Sequence, residues 1–221
     1  MTESISTIKN RVDVVDLDTG NIGSVMKMLS RIGARPKICA SPSDIDGLNP
    51  IIIPGVGHFS KAAQSLDAGQ WRARLNDLHF SQCPILGICL GAQLLCQSSE
   101  EGPGAGLGWI PTTVLRFPAT DSNGGLLRVP HMCWQNFTPP DGCFPFSVPT
   151  GRMYYAQSFY IKPTSAPEFS PYQSTYGDIQ FAAAVRSRNA IGMQFHPEKS
   201  HRYGMALLRS WLDWANECCR P

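Results

Sequence analysis

The stretch Pro84-Ile85-Leu86-Gly87-Ile88-Cys89-Leu90-Gly91 decides the fold that this sequence predicts. Its first part is a short apolar run typical of a buried strand, and a helix is predicted over residues 90–97. Between the two, Gly87 and Gly91 flank Cys89 at two residues on either side. A turn of this form projects its central side chain from the end of a sheet in a strained conformation. Cys89 is therefore a candidate nucleophile, with an ordinary buried cysteine as the alternative.

The segments before this stretch alternate between strand-like and helical patterns. The strand-like runs are residues 12–17, 36–39, 51–53 and 84–88. Apolar residues at helical spacing cover residues 22–32 and 62–78, with a break near Gly69. Strands that alternate with helices favour βαβ units and a parallel sheet covered on both faces. We therefore expect an α/β fold with a doubly wound, mostly parallel central sheet.

The second half of the chain has a different texture, with dense Gly and Pro between residues 102 and 149. Short strand patterns occupy residues 113–117, 152–161, 179–185 and 190–195. They predict antiparallel additions to the sheet, followed by an amphipathic helix over residues 201–218. Residues 119–125 and 139–151 are the expected mobile loops. Because no repeat or linker divides the sequence, we expect one domain over residues 1–221.

Composition excludes several classes of function. Lys and Arg number 19 against 17 Asp and Glu, so charge offers no attraction for nucleic acid or an anionic membrane. No apolar run approaches the ~20 residues of a membrane span, and the polar residues 1–11 do not resemble a signal peptide. The eight cysteines contain no C-x-x-C pair, which disfavours a zinc site or a disulfide scaffold. We expect a cytoplasmic protein without metal or cofactor.

A nucleophilic cysteine needs a base, and the base needs an orienting group. His196 follows an apolar strand pattern, and Glu198 lies two residues further on. Residues at this spacing share a face of extended chain, and Pro197 keeps the segment out of a helix. Two alternatives stay open: a capping Glu beside a strand-end His, or a metal site formed by the Cys, His and Glu together.

Pro54-Gly55-Val56-Gly57 follows the apolar run at residues 51–53. Glycines at the carboxyl end of a strand allow backbone N–H groups to approach a ligand closely. The alternative is an ordinary turn between strand and helix.

Three motifs together resemble the class I glutamine amidotransferases: Pro54–Gly57, Gly87–Gln93 and Phe195–Glu198. Softer matches run along nearly the whole chain: residues 16–21, 106–109, 129–134 and 194–200. They are similar to the glutaminase subunits of imidazole glycerol phosphate synthases. The resemblance implies a flavodoxin-like core. It also implies hydrolysis of glutamine to glutamate and ammonia, with ammonia delivered to a partner cyclase for histidine biosynthesis.

The resemblance also implies a role for individual residues. Cys89, His196 and Glu198 would form the catalytic triad, and backbone N–H groups of Gly55, Val56, Gly57 and Leu90 would form the oxyanion hole. Gln93, Glu100, Gln157 and Ser158 would hold glutamine. Gln157-Ser158-Phe159 departs from the family pattern, which has His, then Ser or Thr, then Tyr.

The partner of such subunits is a cyclase with a (β/α)₈ barrel, and the expected assembly is a heterodimer. Asn21, His131, Trp134 and Lys199 are the exposed residues expected at its interface. Two other functions stay open. One is a glutaminase that supplies ammonia for amination of a bacterial surface sugar, and the other is a catalytically silent docking module.

Overall fold

The structure is a computed structural model that describes residues 10–219. The strands are β1 (Arg11–Val15), β2 (Arg35–Cys39), β3 (Ile51–Ile53), β4 (Ile85–Ile88), β5 (Cys96–Ser99), β6 (Ile110–Arg116), β7 (His131–Phe137), β8 (Gly151–Gln157), β9 (Phe159–Ile161), β10 (Tyr172–Tyr176), β11 (Ile179–Ser187) and β12 (Ala190–Met193). The α-helices are α1 (Ile22–Arg31), α2 (Phe59–Ala68), α3 (Trp71–Phe80), α4 (Leu90–Gln93) and α5 (His201–Cys218).

A seven-stranded sheet with the order β10-β11-β12-β4-β3-β1-β2 forms the centre of the fold. The pairs between β2, β1, β3, β4 and β12 are parallel, and β11 and β10 add antiparallel strands at one side. This topology confirms the predicted α/β fold with a mostly parallel central sheet and antiparallel additions in the C-terminal half.

Helices cover both faces of this sheet, which is why its central strands are apolar throughout. In β3 all three residues are fully buried, but they face opposite ways. Ile52 packs in the core that contains α1 and α5, whereas Ile51 and Ile53 pack in the core that contains α2 and α3. The helix break predicted near Gly69 is also present, because α2 ends at Ala68 and α3 begins at Trp71.

Two small sheets lie outside the central one. Strands β5, β6 and β9 form a three-stranded sheet, and β7 and β8 form an antiparallel pair. The sequence patterns did not predict β7 or β10. The predicted single strand at residues 152–161 is wrong, because the chain changes sheets at Ser158: β8 pairs with β7, and β9 pairs with β6.

The helix predicted over residues 90–97 is also wrong in its second half. The helix α4 ends at Gln93, and Cys96 already begins β5. The carbonyl of Leu94 accepts a hydrogen bond from the N–H of Leu107 at 2.6 Å, and that of Cys96 accepts from Gly108 at 3.1 Å. The carbonyls of this segment thus accept hydrogen bonds from the loop at residues 107–108, and the chain continues as strand β5.

The helix predicted over residues 201–218 coincides with α5. Within residues 10–219, no helix combines the length and apolarity needed to cross a bilayer. Residues 1–9, which carry most of the segment judged not to be a signal peptide, lie outside the described residues.

Candidate active site

Cys89 occupies a sharp turn between β4 and α4. Its backbone has φ +51° and ψ −104°, a conformation that non-glycine residues rarely adopt. The turn brings the chain so close to itself that a Cβ on Gly91 would lie 1.8 Å from the carbonyl oxygen of Ile53. A Cβ on Gly87 would lie 2.6 Å from the carbonyl oxygen of Gly91. Both flanking glycines are therefore required by packing.

The surroundings of Cys89 hold it at the carboxyl edge of the parallel strands. Its N–H donates to the carbonyl of Met193 in β12 at 2.8 Å. The amide Nε2 of the fully buried Gln194 lies 3.9 Å from the Cys89 sulfur. The chain N-terminal to the turn is strand and the chain after it is helix, so the N–H groups of the first turn of α4 start beside this sulfur.

His196 and Glu198 lie on the short turn that follows β12. The N–H of His196 donates to the carbonyl of Tyr154 in β8 at 2.9 Å, and the hydroxyl of Ser200 donates to the His196 carbonyl at 2.6 Å. The imidazole Nδ1 lies 2.8 Å from Glu198 Oε1, with both side chains almost fully buried. The backbone is thus tied at both sides, which fixes the direction of the ring.

Electrostatics favour a protonated His196. Burial alone would lower the pKa of its imidazole, but interactions with Cys89 and then with Glu198 outweigh burial and raise the pKa to about 10. An imidazole with this pKa carries its proton at neutral pH. His196 is therefore placed to donate a proton to a group held at Cys89.

Glu198 has a second contact that sequence reasoning missed. Asn21 Nδ2 donates to Glu198 Oε1 at 3.0 Å, so this oxygen accepts from both Asn21 and His196. Glu198 Oε2 is buried, with no hydrogen-bond partner among residues 10–219. Asn21 and Glu198 are 177 positions apart, and no local pattern in the sequence indicates that they pair.

A cleft of about 190 Å³ opens beside Cys89. It is the space in which a small substrate would meet the sulfur. Its walls come from five parts of the chain and consist of Val56, Gly57, Cys89, Leu90, Gln93, Glu101, Pro130, Ala156, Gln157, Ser158 and Phe159.

Most of the predicted oxyanion-hole residues reach this cleft. Val56, Gly57 and Leu90 line it, and Leu90 begins α4, so its N–H has no carbonyl partner within that helix. Gly55 lies behind them, since a Cβ there would sit 2.9 Å from the Cβ of Leu90. Gly55 thus allows the two turns to pack together and does not line the cleft itself.

The placement of Glu100 in the glutamine site is wrong. Glu100 is exposed and accepts the N–H of Arg116 at 2.7 Å, whereas the next residue, Glu101, lines the cleft. Glu101 Oε2 accepts the N–H of Phe59 at 2.7 Å, at the start of α2. The family resemblance did not distinguish the two adjacent carboxylates, because the turn after β5 decides which one faces the cleft.

Three further predicted substrate residues do line the cleft. Gln93 is buried, and its Nε2 donates to the carbonyl of Phe159 at 3.1 Å. Gln157 is only 4% exposed, and neither its amide nitrogen nor its amide oxygen has a partner in the described part of the chain. Buried polar groups normally find partners. Gln157 therefore offers one donor and one acceptor, beside Ser158, to a bound ligand.

The four residues expected at an interface differ in exposure. His131 is wrong as an exposed anchor, because it is 1% exposed and stacks on Tyr176 with ring centroids 3.9 Å apart. Its Nε2 contacts the sulfur of Cys133 at 2.8 Å. Trp134 is half-buried and stacks on His201, and Asn21 and Lys199 are also half-buried. Met132, which was not predicted, is 60% exposed on the same strand.

Among residues 10–219 no cluster of three or more His, Cys, Asp or Glu side chains is arranged to hold a metal ion. Cys89, His196 and Glu198 form a chain of contacts that runs from sulfur to imidazole to carboxylate. This arrangement suits nucleophilic catalysis.

Comparison with known proteins agrees with this geometry. The family model of glutamine amidotransferase class-I matches residues 13–213. Imidazole glycerol phosphate synthase subunit HisH 2 of Pseudomonas aeruginosa is 37% identical over 206 residues, which cover 90% of this chain and 98% of that protein. Subunit HisH of a Synechocystis species is 38% identical over 204 residues, 91% of this chain and 95% of that protein.

Solved structures agree in fold. A glutamine amidotransferase crystal structure aligns with a TM-score of 0.70 at 19% identity, over 92% of this chain and 98% of the other. A chain in the structure of PurLQS from Thermotoga maritima aligns with a TM-score of 0.68 at 17% identity, over 96% of this chain and 99% of the other. The family match spans nearly the whole central fold and both sides of the cleft. The chain belongs to the class I glutamine amidotransferase family.

Proposed function

We propose that this protein hydrolyses glutamine to glutamate and ammonia, with Cys89 as nucleophile, His196 as acid and base, and Glu198 as the orienting carboxylate. One observation carries the proposal. His196 is held by Glu198 at 2.8 Å and interacts with Cys89 at the wall of a cleft large enough for a small amide. The activity agrees with the family to which the chain belongs.

In the first half-reaction, the Cys89 sulfur attacks the side-chain amide carbon of glutamine. The carbonyl oxygen of the substrate becomes an oxyanion, and we assign its donors to the N–H groups of Val56, Gly57 and Leu90, because these residues line the cleft. The C–N bond then breaks as His196 gives its proton to the departing nitrogen. The products of this step are ammonia and a glutamyl thioester on Cys89.

In the second half-reaction, water replaces the sulfur. His196, now neutral, accepts a proton from the water as its oxygen attacks the thioester carbon. The C–S bond breaks, glutamate leaves and the Cys89–His196 pair returns to its starting state. Throughout both steps, Glu198 keeps Nδ1 of His196 protonated, so that Nε2 is the nitrogen that exchanges protons.

The amino-acid end of glutamine carries one positive and one negative charge. Glu101 is the one acidic side chain among the described residues that line the cleft, which suits it to the ammonium group. Gln93, Gln157 and Ser158 add neutral donors and acceptors to the same walls. We assign these four side chains to glutamine binding.

We propose that the ammonia passes to a partner synthase subunit that forms imidazole glycerol phosphate in histidine biosynthesis. The relatives described above carry the name of a subunit of that synthase and match this chain over nearly their whole length. Free ammonia at neutral pH is mostly protonated and no longer nucleophilic, so production next to its acceptor avoids this loss. We further propose that residues 1–221 form one domain, that the partner is a (β/α)₈ barrel, and that the pair works in the cytoplasm.

The partner would cover the mouth of the cleft. Trp134 and Lys199 remain candidates for that surface, together with the exposed Met132. Aromatic and apolar side chains of this kind often anchor interfaces.

The test is glutamate release by the purified chain, alone and with its co-encoded synthase subunit and acceptor substrate. We expect low release by the chain alone and strong stimulation in the complex. Cys89→Ala should lower turnover by at least about 10³-fold, as removal of a nucleophile does elsewhere. Cys96→Ala is the matched control, because this buried thiol does not line the cleft and its loss is expected to affect packing only.

Each outcome has a defined meaning. Wild-type turnover in Cys89→Ala would overturn the glutaminase mechanism. The co-encoded synthase could instead aminate a sugar and form no imidazole glycerol phosphate, while glutamine is still hydrolysed. That result would change the assigned ammonia acceptor but not the glutaminase mechanism. If the wild-type chain releases no glutamate from glutamine but stimulates the synthase when ammonium is supplied as the nitrogen source, the chain is a docking module that has no catalytic role.

A further inference from the structure

Asn21 lies in the loop between β1 and α1, at the edge of the sheet where Cys89 also lies. It adopts a left-handed conformation, with φ +60°, immediately before the first residue of α1. Asn tolerates this conformation better than most residues do. Residues at this position commonly cap the helix with their side chain. The Asn21 side chain makes no capping hydrogen bond, and its amide points elsewhere.

The amide of Asn21 instead contacts the catalytic carboxylate. Asn21 Nδ2 donates to Glu198 Oε1 at 3.0 Å, the same oxygen that faces His196 Nδ1 at 2.8 Å. Two donors from different parts of the fold thus converge on one oxygen. The other oxygen, Oε2, is buried with no hydrogen-bond partner in residues 10–219. Without Asn21, only His196 would determine how the carboxylate is turned.

The same loop also contacts the turn that borders the cleft. A Cβ at Gly20 would lie 3.6 Å from Val56 Cγ2, and one at Gly57 would lie 3.8 Å from the carbonyl oxygen of Thr19. The loop therefore packs between the Val56 turn and Glu198. Its contacts place Asn21 within the catalytic end of the molecule, although Asn21 does not line the cleft.

We propose that Asn21 is a positioning residue for the hydrolysis of glutamine: its amide fixes the Glu198 carboxylate, and through it the direction of the His196 imidazole. The inference rests on the proposed glutaminase function. Asn21 does not line the cleft, so its effect belongs to turnover and not to substrate binding. A role limited to the left-handed turn, or to partner docking, makes different predictions.

The experiment compares Asn21→Gly, Asn21→Asp and Gln70→Gly. Glycine adopts the left-handed conformation freely, so Asn21→Gly removes the amide without straining the turn. Aspartate also tolerates this conformation, but it is ionised at neutral pH and cannot donate to a carboxylate. Gln70 is a matched control, because it is exposed, has φ +57°, precedes α3 and makes no capping hydrogen bond.

Glutamate release is measured in the complex with the co-encoded synthase subunit, over a range of glutamine and of synthase concentrations. For Asn21→Gly we expect kcat to fall about tenfold, with the KM for glutamine changed by less than about twofold. For Asn21→Asp we expect a larger fall in kcat than for Asn21→Gly, because a second carboxylate would repel Glu198. Gln70→Gly should match the wild type.

Three results would overturn the proposal. If Asn21→Asp is more active than Asn21→Gly, the turn conformation matters and the donor does not. If Asn21→Gly equals Gln70→Gly in kcat, the hydrogen bond has no role in turnover. If extra synthase restores Asn21→Gly to wild-type kcat, Asn21 acts in docking. Wild-type protein without any glutaminase activity would instead refute the proposed function, so the two failures are separable.

Discussion

Glu100 and Glu101 are adjacent and chemically identical, yet they lie in different environments. Glu100 is exposed and binds the N–H of Arg116, whereas Glu101 lines the cleft beside Cys89 and binds the N–H of Phe59. A carboxylate in a site for an amino acid contributes a charge-assisted contact to the substrate ammonium. The assignment of Glu101 to that contact can be tested with its neighbour as control.

We expect Glu101→Gln to raise the KM for glutamine by about 10- to 100-fold, the range of a hydrogen bond to a charged group, with a much smaller change in kcat. The amide oxygen of the new side chain can still accept the N–H of Phe59, so the fold is preserved. Glu100→Gln should leave both constants near those of the wild type. Equal effects of the two substitutions on KM, measured from glutamate release, would contradict the assignment.

At the scale of elements, the turn from β4 to α4 depends on close packing between neighbouring strands. Gly91 lies against the end of β3, where an added Cβ would meet the Ile53 carbonyl at 1.8 Å. The obstacle is backbone, which cannot rotate away as a flexible side chain does. The turn at Cys89 therefore packs directly on the end of β3 and on the turn at Val56 that follows it. Distortion of one turn displaces the other.

We expect Gly91→Ala to lower the free energy of unfolding by about 3 kcal/mol or more and to abolish glutamate release, because overpacking displaces backbone at the elbow. Gly23→Ala is the matched control, since a Cβ there has nothing within 4 Å and lies in the exposed part of α1. It should stabilise the protein slightly, by up to about 1 kcal/mol. Urea unfolding of both variants checks the pair, and a Gly91→Ala protein of wild-type stability would refute the packing argument.

At the scale of the whole molecule, buried histidines link stability to pH in opposite directions. Burial, with a smaller contribution from Arg188, lowers the pKa of His79 to about 4, and burial lowers that of His131 to about 4. In the unfolded chain both titrate near 6.5, so the unfolded state binds more protons between these values. Their contribution to stability is complete above about pH 6.5 and is lost as the pH falls towards 4.

The contribution of His196 to stability changes with pH in the opposite direction. Its pKa of about 10 in the folded protein lies above the unfolded value, so its contribution is complete below about pH 6.5 and is lost as the pH rises towards 10. Together these three groups favour maximal stability near neutral pH. The loss of stability at acidic pH can be attributed to a particular residue by replacing one buried histidine.

We expect His79→Phe to reduce the loss of unfolding free energy between pH 6.5 and 4.5 by about 1–3 kcal/mol, because phenylalanine does not titrate and can stack on Trp109 as His79 does. His58→Asn is the control, since His58 is exposed and asparagine can also accept from the N–H of Ser60. Urea unfolding at several pH values measures both. An unchanged acid slope in His79→Phe would contradict the assignment.

Local sequence was sufficient for the parallel strands of the central sheet, for the final helix and for the pairing of His196 with Glu198. Residues 51–53 and 84–88 are apolar on every position because both faces of a parallel sheet are covered, and this signal needs no knowledge of distant contacts. The two glycines around Cys89 are required by a turn of five residues, and His196 and Glu198 lie two residues apart. Short motifs can predict such features, because the backbone geometry of a few consecutive residues determines them.

Contacts between distant segments decided the rest. The end of α4 at Gln93 depends on the loop near Leu107, and the choice of Glu101 over Glu100 depends on the turn after β5. The burial of His131 against Tyr176 and the hydrogen bond from Asn21 to Glu198 join residues far apart in the chain. Propensity and spacing describe one segment at a time, whereas burial and hydrogen-bond pairing depend on which segments the folded chain brings together.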